Sequence, residues 1–271
     1  MKIYISIDME GLWGLSSWSE DKQDIKRAIT RELKVVLGAL EKSTRGKLNV
    51  LVADSHSYGE NLIMEELPDY VEVIRGYPRK FYMMHGLDET FDACMFIGYH
   101  APCGLTPGQM DHTYSSSSIF KIEINGRSVG ESEINALLAG HFNVPVILIS
   151  GDNQLFNFSK KNFPKTQFVI TKYAISKFAA RMRPWKEVVE EYKIKVRKAV
   201  ENIEKISPIK WEPPYTVEIE LLDTSKAYTA SIIPGAALVD GRKVSFSSSD
   251  FKDIYRFIMS TSLIAWAARK S

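Results

Sequence analysis

Met1-Lys2-Ile3-Tyr4-Ile5-Ser6-Ile7-Asp8-Met9-Glu10-Gly11 opens the chain with a strand-like apolar run that stops at two carboxylates. A buried strand that yields to acidic residues at its carboxyl end suits an open α/β sheet, in which ligand sites gather beyond the strand ends. Asp8 and Glu10 stand two apart, and extended backbone turns both side chains to one side. Such a pair can hold a divalent cation or do acid and base work.

The following chain repeats the theme. Further strand-like runs span Lys47 to Ala53, Val71 to Ile74, Ala93 to Ile97 and Val144 to Ser150. Between the first two strands, Ile25, Ala28, Ile29, Leu33, Val36, Leu37 and Leu40 recur at helical spacing with charged residues on the other face, which makes a βαβ unit. Asn125-Gly126, inside Ile119 to Val129, predicts a β-hairpin that interrupts the alternation. Glu131 to Ala139 reads as a short helix ended by Gly140. A charged helix is expected from Trp185 to Ile206, then a Pro-rich linker, Pro208 to Pro214, and a strand, Thr216 to Leu222. A hairpin around Asp240-Gly241 and an apolar helix from Phe251 to Ala268 close the chain. The expected fold is α/β, a mostly parallel, Rossmann-like sheet covered by helices, with a hairpin excursion and a smaller α+β C-terminal part. A boundary near Lys160 divides it into a catalytic domain, 1–160, and a closely packed C-terminal domain, 161–271.

Composition narrows the function. With 45% hydrophobic and 25% charged residues and a net charge of +2 spread through the 271-residue chain, nothing favours nucleic acid or a membrane surface as a partner. No apolar run approaches the roughly 20 residues that span a bilayer, and the N-terminus enters a strand directly, so a cytoplasmic location is expected. Cys94 and Cys103 are too few for a disulfide framework. His100 and His112 flank Cys103 in sequence, which permits a thiol nucleophile, but a metal site accounts for more of the residues.

That site collects at the predicted strand ends: Asp8 and Glu10 after the first, Asp54-Ser55-His56 after the second, Gly98-Tyr99-His100 after the fourth, and Gly151-Asp152-Asn153 after the fifth. The Pro107-Gly108 turn can return His112 to the same edge, and Glu131 opens the helix behind the hairpin. Carboxylate with imidazole suits zinc, with manganese and cobalt as competitors. Two histidines and three carboxylates suffice for two ions if one carboxylate bridges, and Asp8, short and at a strand tip, is the natural bridge. Paired metals imply hydrolysis. His85 and His141 are assigned to structure. Asp152 reads as a turn residue before a second-layer partner, while Trp13 and Trp18 either line a pocket or anchor their loop.

Several motifs in register sharpen this. Ser6 to Gly11 (SIDMEG), Asp54 to Ser57 (DSHS), Gly98 to Ala101 (GYHA), Thr106 to Gly108 followed by Met110 to Thr113 (MDHT), and Val129 to Glu131 (VGE) with Asn135-Ala136 resemble the zinc-dependent D-aminopeptidases of the bacterial dipeptide-transport operon type. Gly86 to Phe91 (GLDETF) and Ile233 to Gly235 (IPG) extend the likeness over nearly the whole chain. The resemblance implies two zinc ions bridged by Asp8, with Glu10 and His100 on one, His56 and Glu131 on the other, and His112 as the catalytic histidine. It also implies short peptide substrates with an N-terminal D-residue and a self-compartmentalising homo-oligomer, with a decameric ring as the form it points to. The His100 to His112 loop, with Cys103-Gly104, and the second acid Glu133 depart from the family pattern, which bears on loop geometry and substrate fit. A phosphoesterase or cyclic amidase sharing the ligands, and a non-catalytic peptide- or metal-binding protein, are the alternatives.

Overall fold

In the computed structural model, which describes residues 1–268, strands β1 (Lys2–Ile7), β2 (Asn49–Asp54), β3 (Val71–Ile74) and β4 (Ala93–Tyr99) alternate with helix α1 (Lys22–Ser43). The hairpin β5 (Ile119–Ile124) and β6 (Arg127–Val129) leads into α2 (Glu131–His141), β7 (Val146–Asp152), α3 (Asn153–Ser159), β8 (Gln167–Ser176), β9 (Ala179–Met182) and α4 (Trp185–Glu201). Strand β10 (Tyr215–Leu221), α5 (Thr224–Ala230), β11 (Ala237–Leu238), β12 (Lys243–Ser248) and α6 (Phe251–Ala267) complete it. The last three residues of the expected C-terminal part, 269–271, lie outside the described residues.

Two sheets result. The first runs β3-β2-β1-β4-β7-β8-β9, parallel except for the antiparallel edge pair β8/β9. Its order reverses at β1 and β4, the switch point where open sheets leave a crevice at the strand ends. The second, β11-β12-β10-β5-β6, is antiparallel throughout. The pleat of β1 sorts its residues: Ile3, Ile5 and Ile7 join the core under α1 and α4, whereas Tyr4 joins the core shared with α2, α6 and the second sheet. Both cores are built of buried apolar side chains, and close packing of such interiors holds polar groups at their edge rigidly.

The hairpin forms as its sequence predicts, with Asn125 and Gly126 both in the left-handed region at φ 50° and 70°. Sheet membership crosses the expected division near Lys160: β8 and β9 extend the first sheet, α4 packs on α1, and β5 and β6 belong to the second sheet. Burial of a parallel sheet on both faces requires that second helix. The charged helix stops at Glu201, where the Asn202 side chain caps the Lys198 carbonyl. Gly140 does not end α2 either. The helix continues to His141, and the left-handed residue beyond it is Asn143, at φ 63°.

Gly140 serves a close approach instead, since a Cβ there would stand 1.8 Å from the Ile209 carbonyl oxygen. Gly to Ala inside a helix ordinarily gains about 1 kcal/mol; at this position overpacking of about 1 to 3 kcal/mol opposes that gain. Gly140→Ala is therefore expected to lower the urea midpoint, and an unchanged or raised midpoint would refute the contact.

Candidate metal centre

Asp8 and Glu10 leave β1 on the same side, with Met9 pointing into the opposite core, so the pleat persists one step past the strand. Both carboxylates are buried. Asp8 Oδ1 lies 3.4 Å from His56 Nδ1 and Asp8 Oδ2 lies 3.5 Å from His100 Nε2. Each oxygen thus faces a different imidazole. Glu10 Oε2 is 3.2 Å from His56 Nδ1, and Glu131 Oε1 is 3.5 Å from His100 Nε2 and 3.9 Å from His112 Nε2. The six residues singled out in the sequence converge: Asp8, Glu10, His56, His112 and Glu131 line a cavity of about 420 Å³, and the buried His100 approaches Asp8 and Glu131.

Backbone chemistry explains how they are held. Asp54, which ends β2, accepts from the Asn61 amide at 2.6 Å, the Asn61 side chain at 2.7 Å and the Leu62 amide at 3.2 Å, pinning the loop that carries His56. His100 and His112 stack with ring centroids 4.1 Å apart. The Nδ1 of each faces a backbone carbonyl, Ala101 for His100 and Met110 for His112. A carbonyl can only accept, so both rings carry a proton on Nδ1 and turn Nε2 inward, the atom a metal would take. Glu131 begins α2, where the helix dipole favours a carboxylate, and Tyr114 N donates to it at 2.7 Å. Three glycines let the strand ends meet: a Cβ on Gly11 or Gly151 would stand 1.9 or 2.0 Å from the Tyr99 carbonyl oxygen, and one on Gly98 would stand 2.3 Å from that of Asp8.

Electrostatics reflects the crowding of like charges. Burial and the charge of Glu10 push Asp8 up to about 8. Burial acts upward on Glu10 too, but the His56 imidazole outweighs it and holds Glu10 well below the usual carboxylate range. Burial and the neighbouring His100 hold His112 below the ordinary histidine value. Glu10 Oε2 and His100 Nε2 are buried without a hydrogen-bond partner, a rare condition for such atoms. Donor atoms of Asp8, Glu10 and His100 lie within 4.8 Å of one another, as do those of His100, His112 and Glu131. Carboxylates, inward-turned imidazole nitrogens and unpartnered buried donor atoms fit first-row metal ions.

A sequence profile of the D-aminopeptidase family matches residues 1–260. The chain belongs to this family. It is 31% identical over 269 residues to the D-aminopeptidase of Bacillus subtilis (strain 168), covering 96% of each chain. Its fold superimposes on the solved Zn-dependent D-aminopeptidase DppA of Bacillus subtilis, described as a self-compartmentalizing protease, with a TM-score of 0.94, 28% identity and 100% of each chain covered. The chain is accordingly a peptide hydrolase, as its motifs imply, on the fold they imply.

The remaining sequence expectations divide. Asp152 is neither a turn residue nor a partner of a ligand histidine; it caps α3, accepting from Gln154 N and Leu155 N at 2.8 Å. Trp18 lines the site, its Nε1 donating to Glu10 Oε1 at 2.6 Å and its ring set edgewise against His112. Trp13 anchors its loop through the Arg183 carbonyl and the Trp185 ring. Glu133 closes a capping interaction with the Gly130 amide and bonds Ser132. Cys103 stands near Asp111, and burial raises its thiol, the wrong direction for a nucleophile.

Sequence reasoning missed Lys172. Fully buried on β8, it donates to the Glu10 carbonyl at 2.6 Å and the Leu15 carbonyl at 2.5 Å, and burial pushes it down to about 8. A lysine amid Val169, Ile170 and Thr171 was its only signal. It also missed a chain of hydroxyls and one amide beneath the ligands, in which Ser55, Ser6, Tyr99, Asn135 and Tyr255 are linked in order by contacts of 2.7 to 3.0 Å. Removing the ammonium orphans two carbonyls, at about 1 to 3 kcal/mol, and frees the loop behind Glu10. Lys172→Met is expected to lower stability by that order and zinc affinity by about 10- to 100-fold, the range for groups supporting metal ligands; unchanged zinc titrations would exclude the clamp.

Proposed function

We propose that this protein is a binuclear zinc aminopeptidase that removes an N-terminal D-residue from short peptides. The reading is carried by the two oxygens of Asp8, each facing a different histidine 3.4 to 3.5 Å away. Asp8 would serve both ions. Glu10 and His100 would complete one ligand set, for which the gathering of Asp8, Glu10 and His100 donor atoms within 4.8 Å speaks, and His56 and Glu131 would complete the other. Zinc bound there would supply Lewis acidity to a peptide carbonyl and to water; the zinc-dependence of the 28% identical DppA supports that choice of metal.

His112 works beside the ligands. Its Nδ1 is committed to the Met110 carbonyl, Trp18 fixes its ring from the edge, and its bare Nε2 turns into the cavity. Neutral at working pH because burial disfavours the imidazolium, it accepts a proton at Nε2 during attack and returns it to the leaving amine. In its protonated interval the same nitrogen donates toward oxyanion charge.

Assembly belongs to the same proposal. Tyr228, Ile232, Leu238 and Val239 are exposed large apolar residues within a dozen positions, which marks a surface that another protein covers. We assign it to contacts between copies of this chain in a ring that admits only short peptides. Both thiols are free, which suits a cytoplasmic workplace, and among the described residues no helix is long and apolar enough to cross a membrane.

Zinc-loaded protein is expected to release D-alanine from D-Ala-D-Ala and to leave phosphoesters untouched. Asp8→Ala should lose both metals and Glu10→Ala chiefly one by elemental analysis. His112→Ala should keep both while turnover falls about 10²- to 10⁴-fold; retained turnover would remove His112 from the mechanism. Light scattering should return a multiple of the chain mass, and a monomer at assay concentration would eliminate the ring.

A further inference from the structure

A second cavity, of about 320 Å³, adjoins the metal centre, and metal binding does not use it. It shares Ser57, Tyr82, Tyr114, Ser115 and Trp266 with the cavity of the ligands. Beyond that shared wall the character changes from carboxylates and imidazoles to aromatic rings and a thioether. Tyr58, Tyr77, Tyr82 and Tyr114 form a row, neighbouring centroids 6.0 to 6.2 Å apart and edge-on, and Met259, Leu263 and Trp266 of α6 face them.

Two hydroxyls of this wall are engaged, Tyr82 Oη donating to the Ser57 carbonyl at 3.2 Å and Tyr114 Oη to Asn135 Oδ1 at 3.0 Å. Arg79, a cation at the cavity, directs its terminal nitrogens to the Asp54 and Ile74 carbonyls. Rings and methylenes make up most of the surface left for an occupant, so the space favours an apolar group over a carboxylate or phosphate. Backbone geometry singles out the same place: Ser57, Tyr82 and Tyr114 hold φ of 51°, 34° and 58°. Such values are strained for tyrosine, and strain of this kind concentrates at ligand-binding positions. Tyr114 also joins the two spaces physically, because its amide holds Glu131 while its ring walls the cavity.

We infer that this cavity receives a large apolar side chain, aromatic or long aliphatic, from a peptide residue flanking the scissile bond, so that the enzyme selects such peptides over alanyl ones. The inference rests on the peptidase reading above and adds the substrate class to it. Even one methylene in an apolar pocket discriminates by about 10- to 200-fold, so replacing a methyl by a benzyl group is expected to exceed tenfold.

The test uses zinc-loaded full-length protein and the D-series peptides Phe-Ala, Ala-Phe and Ala-Ala, each also as an analogue with the scissile amide reduced to CH2NH. Calorimetry gives analogue affinities independently of turnover, and the two phenylalanyl arms tell whether the side chain comes from the N-terminal residue or its successor. One phenylalanyl analogue is expected to bind at least about tenfold tighter than the alanyl one, with the same ratio in kcat/KM. Ser262→Phe, which fills the cavity from α6, should bring that ratio toward unity, and Met259→Trp does so one turn earlier if the first variant fails to fold. Equal affinities in the wild type, or a preference that survives in both folded variants, overturn the inference. Turnover absent for every peptide with the analogue preference intact would instead remove the peptidase reading and leave the cavity's assignment standing.

Discussion

The site depends on three backbones meeting with no side chain between them. Gly11, Gly98 and Gly151 follow or end β1, β4 and β7, and each stands where a methyl group would enter a neighbouring strand's backbone. Their contact permits the Gly11 amide to donate to the Gly98 carbonyl at 2.7 Å and the Asp8 amide to the Ile97 carbonyl at 2.8 Å. Asp8 and His100 therefore inherit their separation from main-chain hydrogen bonds. A ligand set placed by rigid elements keeps tenths of an ångström that a loop would lose.

Charge is the second constraint, and it is met locally. Three carboxylates and three imidazoles share one buried region, and desolvation alone would drive the carboxylates neutral. Their divergence, with Asp8 up and Glu10 down, is the mark of closely coupled carboxylates that share the positive charge of the neighbouring imidazoles. Around them the protein supplies oriented dipoles: the Lys172 ammonium on the Glu10 carbonyl, the Trp18 indole on the carboxylate, and the serine, tyrosine and asparagine chain running from Ser55 to Tyr255. These groups are fixed before any substrate arrives, so little reorganisation accompanies reaction.

What the sequence disclosed follows physical locality. The βαβ unit, the Asn125-Gly126 hairpin and the chemistry at strand ends are written in short windows, because period, turn chemistry and polarity act between near neighbours. His56, His100 and Glu131 were found because each follows a strand or opens a helix. Strand β8 escaped because its alternation is broken by Lys172, whose partners lie some 160 positions earlier. Gly140 misled for the same reason: its meaning is the Ile209 backbone, not its own helix. Asp152 and Asp54 were visible as acids at the right edge, but only their amide donors reveal the first as a helix cap and the second as a loop clamp.

The spread of the site along the chain also constrains how it comes into being. Its first carboxylate is at position 8 and its last at 131, while the lysine that fixes the Glu10 loop lies at 172 and α2 shares its core with strands that end at Ser248. Parallel pairing across such separations is slow, since long loops must close before any contact rewards them. A ribosome-bound chain with all six site residues already emerged still lacks the clamp and three strands of the second sheet. The nascent protein therefore carries a cluster of acids and histidines long before their final geometry exists, and an ion bound by that geometry would favour the native arrangement of both sheets together.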